Sequence, residues 1–355
     1  MSGTSLDGVD AAELVTDGQS VEAFGPTAFR AYGDGERAAL RGALGRWPDE
    51  DGVAAAARVV EDAHAAVLAD FPDARLVGFH GQTLAHDPAR GRTHQAGDAG
   101  RLSDLLSRAV AHDFRAADVA AGGEGAPLAP VYHHALAQRI GGEAVAFLNL
   151  GGVGNLTWAD PGAADPGDGL AAFDTGPANA PIDDLCAALG RRYDAEGMLA
   201  RSGTADGALV AAFMADPYFA RPAPKSLDRD AFRAAGAGID ALPPADAAAT
   251  WVAVIAATVA AGLPLCPTPP TQVVVCGGGR RNPAIMDALR EALPVEVVPA
   301  EAQGFDGDMI EAQAFAFMAV RVLRGLPISF PRTTGVARPM AGGRIAGLDR
   351  WPVGA

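Results

Sequence analysis

Three glycine-rich turns, far apart in the chain, constrain the fold more than any other feature. They are residues 3–8 in MSGTSLDGVD, 151–155 in NLGGVGN and 277–279 in VCGGGRRN. Glycine has no Cβ, so the backbone at such turns approaches a ligand or another strand closely. The second and third turns follow apolar runs, residues 144–150 and 272–276, that read as buried strands. Loops after such strands are where open α/β sheets bind ligands. The first turn calls for a strand ahead of it, and none stands there; the expectation is that the first strand of the first domain is missing and Met1 is an internal methionine of a longer natural chain. No turn carries G-x-x-x-x-G-K-[ST], and no G-x-G-x-x-G follows a strand, which disfavours a P-loop ATPase and an ordinary dinucleotide-binding fold. On the residues alone, ordinary turns stay open as the alternative reading.

Around these turns the pattern alternates between strand and helix, the signature of an α/β protein. Strands are predicted at 9–15, 21–29, 75–79, 93–96, 110–114, 144–150, 155–158, 170–173, 272–276 and 295–298. Helices are predicted at 53–71, 182–189, 245–261, 284–293 and 309–323. The segment 120–130, AAGGEGAPLAP, breaks any regular element and reads as the link between two domains. Each half runs from a glycine hairpin through a helix to a strand ending in a glycine loop. That weak internal symmetry suggests two α/β domains facing a cleft, where ligands usually sit.

Composition narrows the function. The 355 residues suffice for two domains, and 49% apolar against 20% charged residues give a sizeable core. A net charge of −15 argues against nucleic acid or an anionic membrane surface as partner. Cys186, Cys266 and Cys276 show no paired spacing and suit a reducing cytoplasm rather than disulfides or zinc. No apolar run is expected to be long enough to span a bilayer.

The stretches MSGTSLDGVDAAEL, GFHGQTLAHDP, DFRAADVAAGGEGAPLAP, NLGGVGNLTW, AFDTGPANAPID, VVVCGGGRRNP and EAQAFAFMAVRVLRGLPIS stand in that order from Met1 to about Ser329. Together they resemble the anhydro-N-acetylmuramic acid kinase family. The resemblance implies the actin/hexokinase/Hsp70-like superfamily, with two ribonuclease H-like domains around a central cleft. Residues 1–135 would form the first domain and 136–355 the second, the last residues packing back on the first. It also implies ATP-dependent conversion of 1,6-anhydro-N-acetylmuramic acid to N-acetylmuramic acid 6-phosphate in peptidoglycan recycling, and a homodimer. The alternatives are another sugar or carboxylate kinase of that superfamily, or a non-catalytic actin-like nucleotide-binding protein.

Roles follow from the resemblance. Asp174 in AFDTGPAN would be the general base, although Asp-Thr-Gly-Pro on its own is more often a strand-ending turn. Gly3, Thr4, Ser5, Leu6, Asp7, Gly8, Val9 and Asp10 would form one ATP-phosphate loop. Gly151, Gly152 and Asn155 would form the opposing hairpin, and Gly277, Gly278 and Gly279 would admit the adenosine. Mg²⁺ is expected through the ATP phosphates, with no metal site of its own. Glu311 would reach the sugar. Gln82, His86 and Gln95, read as loop residues, and Arg115 are candidates for sugar hydroxyls or the lactyl carboxylate, Arg115 because arginine pairs with carboxylates in two-pronged fashion. Local hydrogen bonding is an equal alternative for these four. Lys225 lies where the family has a basic loop. The chain departs from the family pattern at Glu124 (Gln), Ala178 (Gly), Gly154 (Ala) and 227–230 (Leu-Asp-Arg-Asp for Thr-Gly-Arg-Glu), which puts the sugar contacts and the shape of the loop after Asp174 in question.

Overall fold

A computed structural model describes residues 1–3, 5–228 and 231–351. The chain forms two compact units, Met1–Arg139 with Met309–Ala355, and Ile140–Asp308. The division expected at residue 135 falls at 139, and the return to the first unit, expected only of the last residues, begins at Met309.

The first unit opens with β1 (Gly8–Thr16) and β2 (Val21–Ala31), an antiparallel pair. Their turn is set by Asp17, whose Oδ1 accepts the N–H groups of Gln19 and Ser20 at 2.9 and 2.7 Å, with Gly18 at φ +79°. Next come α1 (Asp34–Ala43), α2 (Val53–Leu68), β3 (Leu76–Gly78), β4 (Gln82–Asp87), β5 (Arg92–Ala96), α3 (Ala99–Leu106), β6 (Ala109–His112), α4 (Ala116–Ala120) and α5 (Pro130–Ile140). Helix α2 buries Val53, Ala56, Val60, Ala63 and Val67, a spacing of three and four that puts one apolar stripe on the core. Gln82, His86 and Gln95, expected in loops, stand on the β4–β5 hairpin instead. The segment 120–130 is not a link between units. It is pinned inside the first one, where Gly123 N–H and Gly125 N–H donate to the carbonyl and the Oδ1 of Asp118 at 3.0 and 2.7 Å.

The second unit is built on five strands: β7 (Val145–Leu150), β8 (Val153–Ala159), β9 (Leu170–Pro177), β10 (Gln272–Cys276) and β11 (Glu296–Pro299). The sheet order is β11-β10-β7-β8-β9, with β7, β8 and β9 antiparallel and β10 and β11 parallel to β7. Its helices are α6 (Asn179–Ala188), α7 (Met198–Arg201), α8 (Gly207–Met214), α9 (Arg233–Asp240), α10 (Pro244–Gly262) and α11 (Pro283–Ala292). Helix α10 corrects the expectation about apolar runs. Residues Pro244–Leu265 are long and apolar enough to cross a membrane by length and composition, with a mean hydropathy of 1.8. Trp251, Val254, Ile255 and Val259 of this helix are buried in one core with Leu148, Phe173 and Val275 of the sheet, which accounts for the apolar run as a core helix.

Back in the first unit, α12 (Ile310–Leu323) and β12 (Arg344–Ala346) complete the fold. Strand β6 pairs with both β3 and β12. In the second unit β7 lies between β8 and β10; in the first, the equivalent place between β1 and β3 holds a cavity of about 250 Å³. It is lined by β1 and β3, by His64 and Phe71, and by Ala312, Ala316 and Val320 of α12. Among the described residues no strand runs there.

Strand β3 meets α12 with no room to spare. A Cβ at Gly78 would lie 2.2 Å from the Phe315 carbonyl oxygen. Because both parties are backbone, Gly78→Ala is expected to destabilise the protein by about 3 kcal/mol, measured as a fall in Tm, and unchanged melting would contradict this packing.

Candidate active site

The second unit holds the better-formed constellation. Asp174 lies on β9, the edge strand, opposite Asn155 on β8. A bulge falls beside this pair, because Gly154 faces Gly176 while Asn155 faces Asp174. Bulges re-aim neighbouring side chains. Asn155 Nδ2 donates to Asp174 Oδ1 at 2.8 Å, and the Leu227 N–H donates to Oδ2 at 2.8 Å. Burial pushes the Asp174 carboxyl above its usual value, and those two donors pull the other way. On the free edge of β9, the Asp174 N–H donates to the Lys225 carbonyl at 2.9 Å, and Tyr218 Oη donates to the Asp174 carbonyl at 2.7 Å.

Two departures from the family pattern fall at this loop. Ala178 has a negative φ of −127°, outside the left-handed region that favours glycine. Leu227 acts through its main-chain N–H, a bond that does not depend on the side chain. Arg229 and Asp230 lie outside the described residues.

The glycines of this unit fall into two groups. Gly277 has φ +74°, and a Cβ there would stand 2.2 Å from Asn149 Oδ1; one at Gly279 would stand 2.6 Å from Leu150 Cβ. The chain itself demands both. Gly278, Gly151 and Gly152 meet nothing closer than 3.3, 3.9 and 3.6 Å, and Gly278 and Gly152 are exposed. Among the described residues nothing crowds a side chain at Gly151 or Gly152, and at Gly278 only the end of the Asn179 side chain would have to give by a few tenths of an ångström. The Gly151 and Gly152 carbonyls accept the N–H groups of Asn179 and Ala178 at 2.8 and 3.1 Å, which fixes the hairpin turn. Asn155, expected with this turn, sits instead at the Asp174 carboxylate.

Arg280 locks the 277–279 turn. Its buried guanidinium donates to Glu301 Oε1 at 2.6 Å, to Asp308 Oδ1 at 2.7 Å and to the Gly277 carbonyl at 3.0 Å. Burial alone would favour its neutral form, but the two carboxylates outweigh this and hold its pKa above the ordinary value.

In the first unit the loop before β1 is closed by Leu6 N–H on the Gly3 carbonyl at 3.2 Å, with Ser5 Oγ donating to Asp7 Oδ1 at 2.7 Å. Thr4 lies outside the described residues. A Cβ at Gly3 would meet only Ser5 Oγ at 3.6 Å, whereas one at Gly8 would strike the Arg30 carbonyl at 2.4 Å. Val9 is buried, and Asp10 exchanges backbone hydrogen bonds with Met1 at 2.7 and 2.9 Å. Gln82 is fully buried and accepts from Ser2 Oγ at 2.5 Å, a supporting role behind this loop.

His86 and Arg115 converge on consecutive carbonyls of the pinned segment. His86 Nε2 donates to the Glu124 carbonyl at 2.9 Å, and Arg115 Nη1 to the Gly125 carbonyl at 2.6 Å. Arg115 Nε donates to His80 Nε2 at 2.9 Å, which leaves His80 Nδ1–H for the Gly81 carbonyl, also at 2.9 Å. Burial, then the Arg115 charge, holds His80 neutral. Burial pulls Arg115 down to about 10, opposed by Glu311 and Asp118. Glu311, in the first turn of α12, is exposed to solvent; the protein around its carboxyl raises its pKa, while Arg115 lowers it. Among the described residues no carboxylate is hydrogen-bonded to Arg115. Gln95 Nε2 is held by Thr83 and Thr93 at 3.2 and 2.8 Å.

Sequence reasoning missed His80, Asp118 and Tyr218. His80 and Asp118 lay within quoted motifs, whereas no signal marked Tyr218. Among the described residues no group of three or more His, Cys, Asp or Glu forms a metal site.

The profile of the anhydro-N-acetylmuramic acid kinase family matches residues 1–347. An anhydro-N-acetylmuramic acid kinase of Cereibacter sphaeroides is 58% identical over 350 residues, covering 98% of this chain and 94% of that one. One of Ruegeria sp. is 54% identical over 355 residues, covering 99% and 94%. Among solved structures, component A of the Acidaminococcus fermentans (R)-2-hydroxyglutaryl-CoA dehydratase is a distant likeness, at 13% identity and a TM-score of 0.42 over 90% of this chain and 95% of that one. The protein is an enzyme, a kinase of α/β fold. The chain belongs to the anhydro-N-acetylmuramic acid kinase family.

The division among the glycines is testable by melting. Gly277→Ala should lower Tm clearly, while Gly278→Ala and Gly152→Ala should stay within about 0.5 kcal/mol of the parent. Equal losses at all three would show that the chain's own packing requires every one.

Proposed function

We propose that the protein uses ATP and water to open 1,6-anhydro-N-acetylmuramic acid and phosphorylate its O6, with Asp174 as the general base. Asp174 takes a proton from water as the water oxygen bonds to the anomeric carbon. The bond from that carbon to the bridging oxygen breaks, and O6 attacks the γ-phosphorus as the bond to ADP breaks. The products are N-acetylmuramic acid 6-phosphate and ADP. The observation that carries this reading is the Asp174 carboxylate itself: half-buried, raised in pKa, and held by one donor on each oxygen. A base of that kind is oriented and more basic than a solvated aspartate.

The other assignments rest on space and charge. Gly3, Gly151, Gly152 and Gly278 leave room for phosphate and nucleoside next to backbone N–H groups, which stabilise phosphate oxygens. Mg²⁺ would arrive with the ATP phosphates. Arg115, held by neutral acceptors, suits the lactyl carboxylate, and Glu311 suits a sugar hydroxyl. Gln82, His86 and Gln95 would support these contacts rather than make them. Cys186 and Cys276 are buried and in no disulfide, in keeping with a reducing cytoplasm.

Turnover in oxygen-18 water should place one label on the anomeric hydroxyl and none in the 6-phosphate. Label in phosphate would indicate ATP hydrolysis, and turnover of plain hexoses but not the anhydro sugar would favour a different sugar kinase. Asp174→Asn should retain ATP binding and lose turnover by about 10³-fold; a fully active Asn variant removes Asp174 from the base role. The base works only when ionised, so activity should fall as pH drops through a pKa above the ordinary aspartate value. Gly278→Ala should weaken ATP binding although it leaves melting unchanged.

A further inference from the structure

Asp174 sits at an edge where the sheet supplies nothing on one side. Its main-chain N–H and C=O both face away from β8 and are taken by the segment 218–227. The same segment delivers the Leu227 N–H to the carboxylate at 2.8 Å. Among the described residues, three of the four hydrogen bonds that fix Asp174 therefore come from one stretch that is not part of the sheet. That stretch is closed on itself by Lys225, which is only 6% exposed. Lys225 Nζ donates to the Tyr218 and Phe219 carbonyls at 3.0 and 3.4 Å and stands 4.4 Å from the centre of the Tyr218 ring. Burying an ammonium costs several kcal/mol unless its protons are satisfied, and here carbonyls and a ring face satisfy it.

We propose that Tyr218 and Lys225 are positioning residues that clasp the 218–227 segment onto the edge of β9, so that the Leu227 N–H stays on Asp174 and sets the aim and basicity of its carboxylate. The proposal rests on the reading of Asp174 as the base. Lys225 does not touch the carboxylate; it acts through the carbonyls it ties down. Tyr218 acts through the Asp174 main chain while its ring covers the ammonium. Among the described residues the titratable and charged groups at this corner include Asp174, Asp216, Tyr218, Arg221 and Lys225. Burial raises Tyr218, with Asp174 adding to the rise and Arg221 opposing it, and burial together with Arg221 lowers Lys225.

Lys225→Met keeps the length and removes the donors; Tyr218→Phe keeps the ring and removes the hydroxyl. Each should lower kcat by about 10- to 100-fold with KM for ATP and sugar within about twofold. Each should also move the acid limb of the rate profile to higher pH, by about half a unit or more, because a loosened segment withdraws the Leu227 N–H from the ionised carboxylate, which raises its pKa. Melting of both variants is measured alongside, and Tyr218→Phe carries the test if Lys225→Met does not fold. An unmoved acid limb in a folded variant overturns the clasp. A raised KM with unchanged kcat overturns it too, showing that Lys225 binds substrate. Asp174→Asn separates the two ideas: if it is inactive while the limb stays fixed in the clasp variants, only the clasp falls; if it is active, the base assignment falls first.

Discussion

The second unit depends on where β7 ends. This strand is hydrogen-bonded on both sides, to β8 and to β10, and is buried along almost its whole length. Its last residues, Asn149 and Leu150, are the surface against which Gly277 and Gly279 pack, so the turn after β10 adopts its shape because β7 stops there. The same stop produces the hairpin at Gly151 and Gly152, which leads directly into β8 and to Asn155 opposite Asp174. One strand terminus thus fixes two glycine turns and the partner of the proposed base. Arg280 then secures the arrangement by binding Gly277, Glu301 and Asp308 at once.

Glycine-rich motifs are often read whole as ligand loops, and the packing here divides them. A glycine that strikes its own chain when given a Cβ is explained by folding. Gly8, Gly277 and Gly279 belong to that class, as does Gly154, where a Cβ would stand 2.6 Å from Thr175 Oγ1. Gly3, Gly151, Gly152 and Gly278 do not. Both classes are needed at a phosphate loop, the first to bring the backbone into place and the second to leave it bare.

Local pattern made the sheet of the second unit legible: β7, β10 and β11 are short apolar runs, and each glycine turn follows the strand that ends in it. What stayed hidden was long-range or masked by burial. Tyr218 and Leu227 reach Asp174 across 44 and 53 residues, and no spacing encodes that. Helix α5 buries Tyr132, His133 and His134 along with its apolar residues, so it shows no polar face by which a helix period could be read. Strand β4, QTLAHD, is polar enough to pass for loop, although its partner β5 is predicted at 93–96. The return of the last residues to the first domain is expected, but not that all of α12 belongs there, where Arg321 and Arg324 at its end bond the Gly18 and Asp17 carbonyls across more than 300 residues.

Charge sorts three of the protein's well-packed cations into two kinds. Arg280 faces two carboxylates, so its charge is spent within the fold. Arg115 and Lys225 are held instead by neutral acceptors: a histidine nitrogen and a carbonyl for the one, two carbonyls for the other. A cation held in this way keeps its orientation without being neutralised, and its field extends to whatever is nearby. Around Lys225 that field falls on a segment already fastened to Asp174. Around Arg115 it falls on Glu311 and on any anion that enters, and the neutral His80 behind it makes this possible, because a protonated ring there would repel the guanidinium. In a chain with a net charge of −15, such positions are where an anionic substrate would find attraction rather than repulsion.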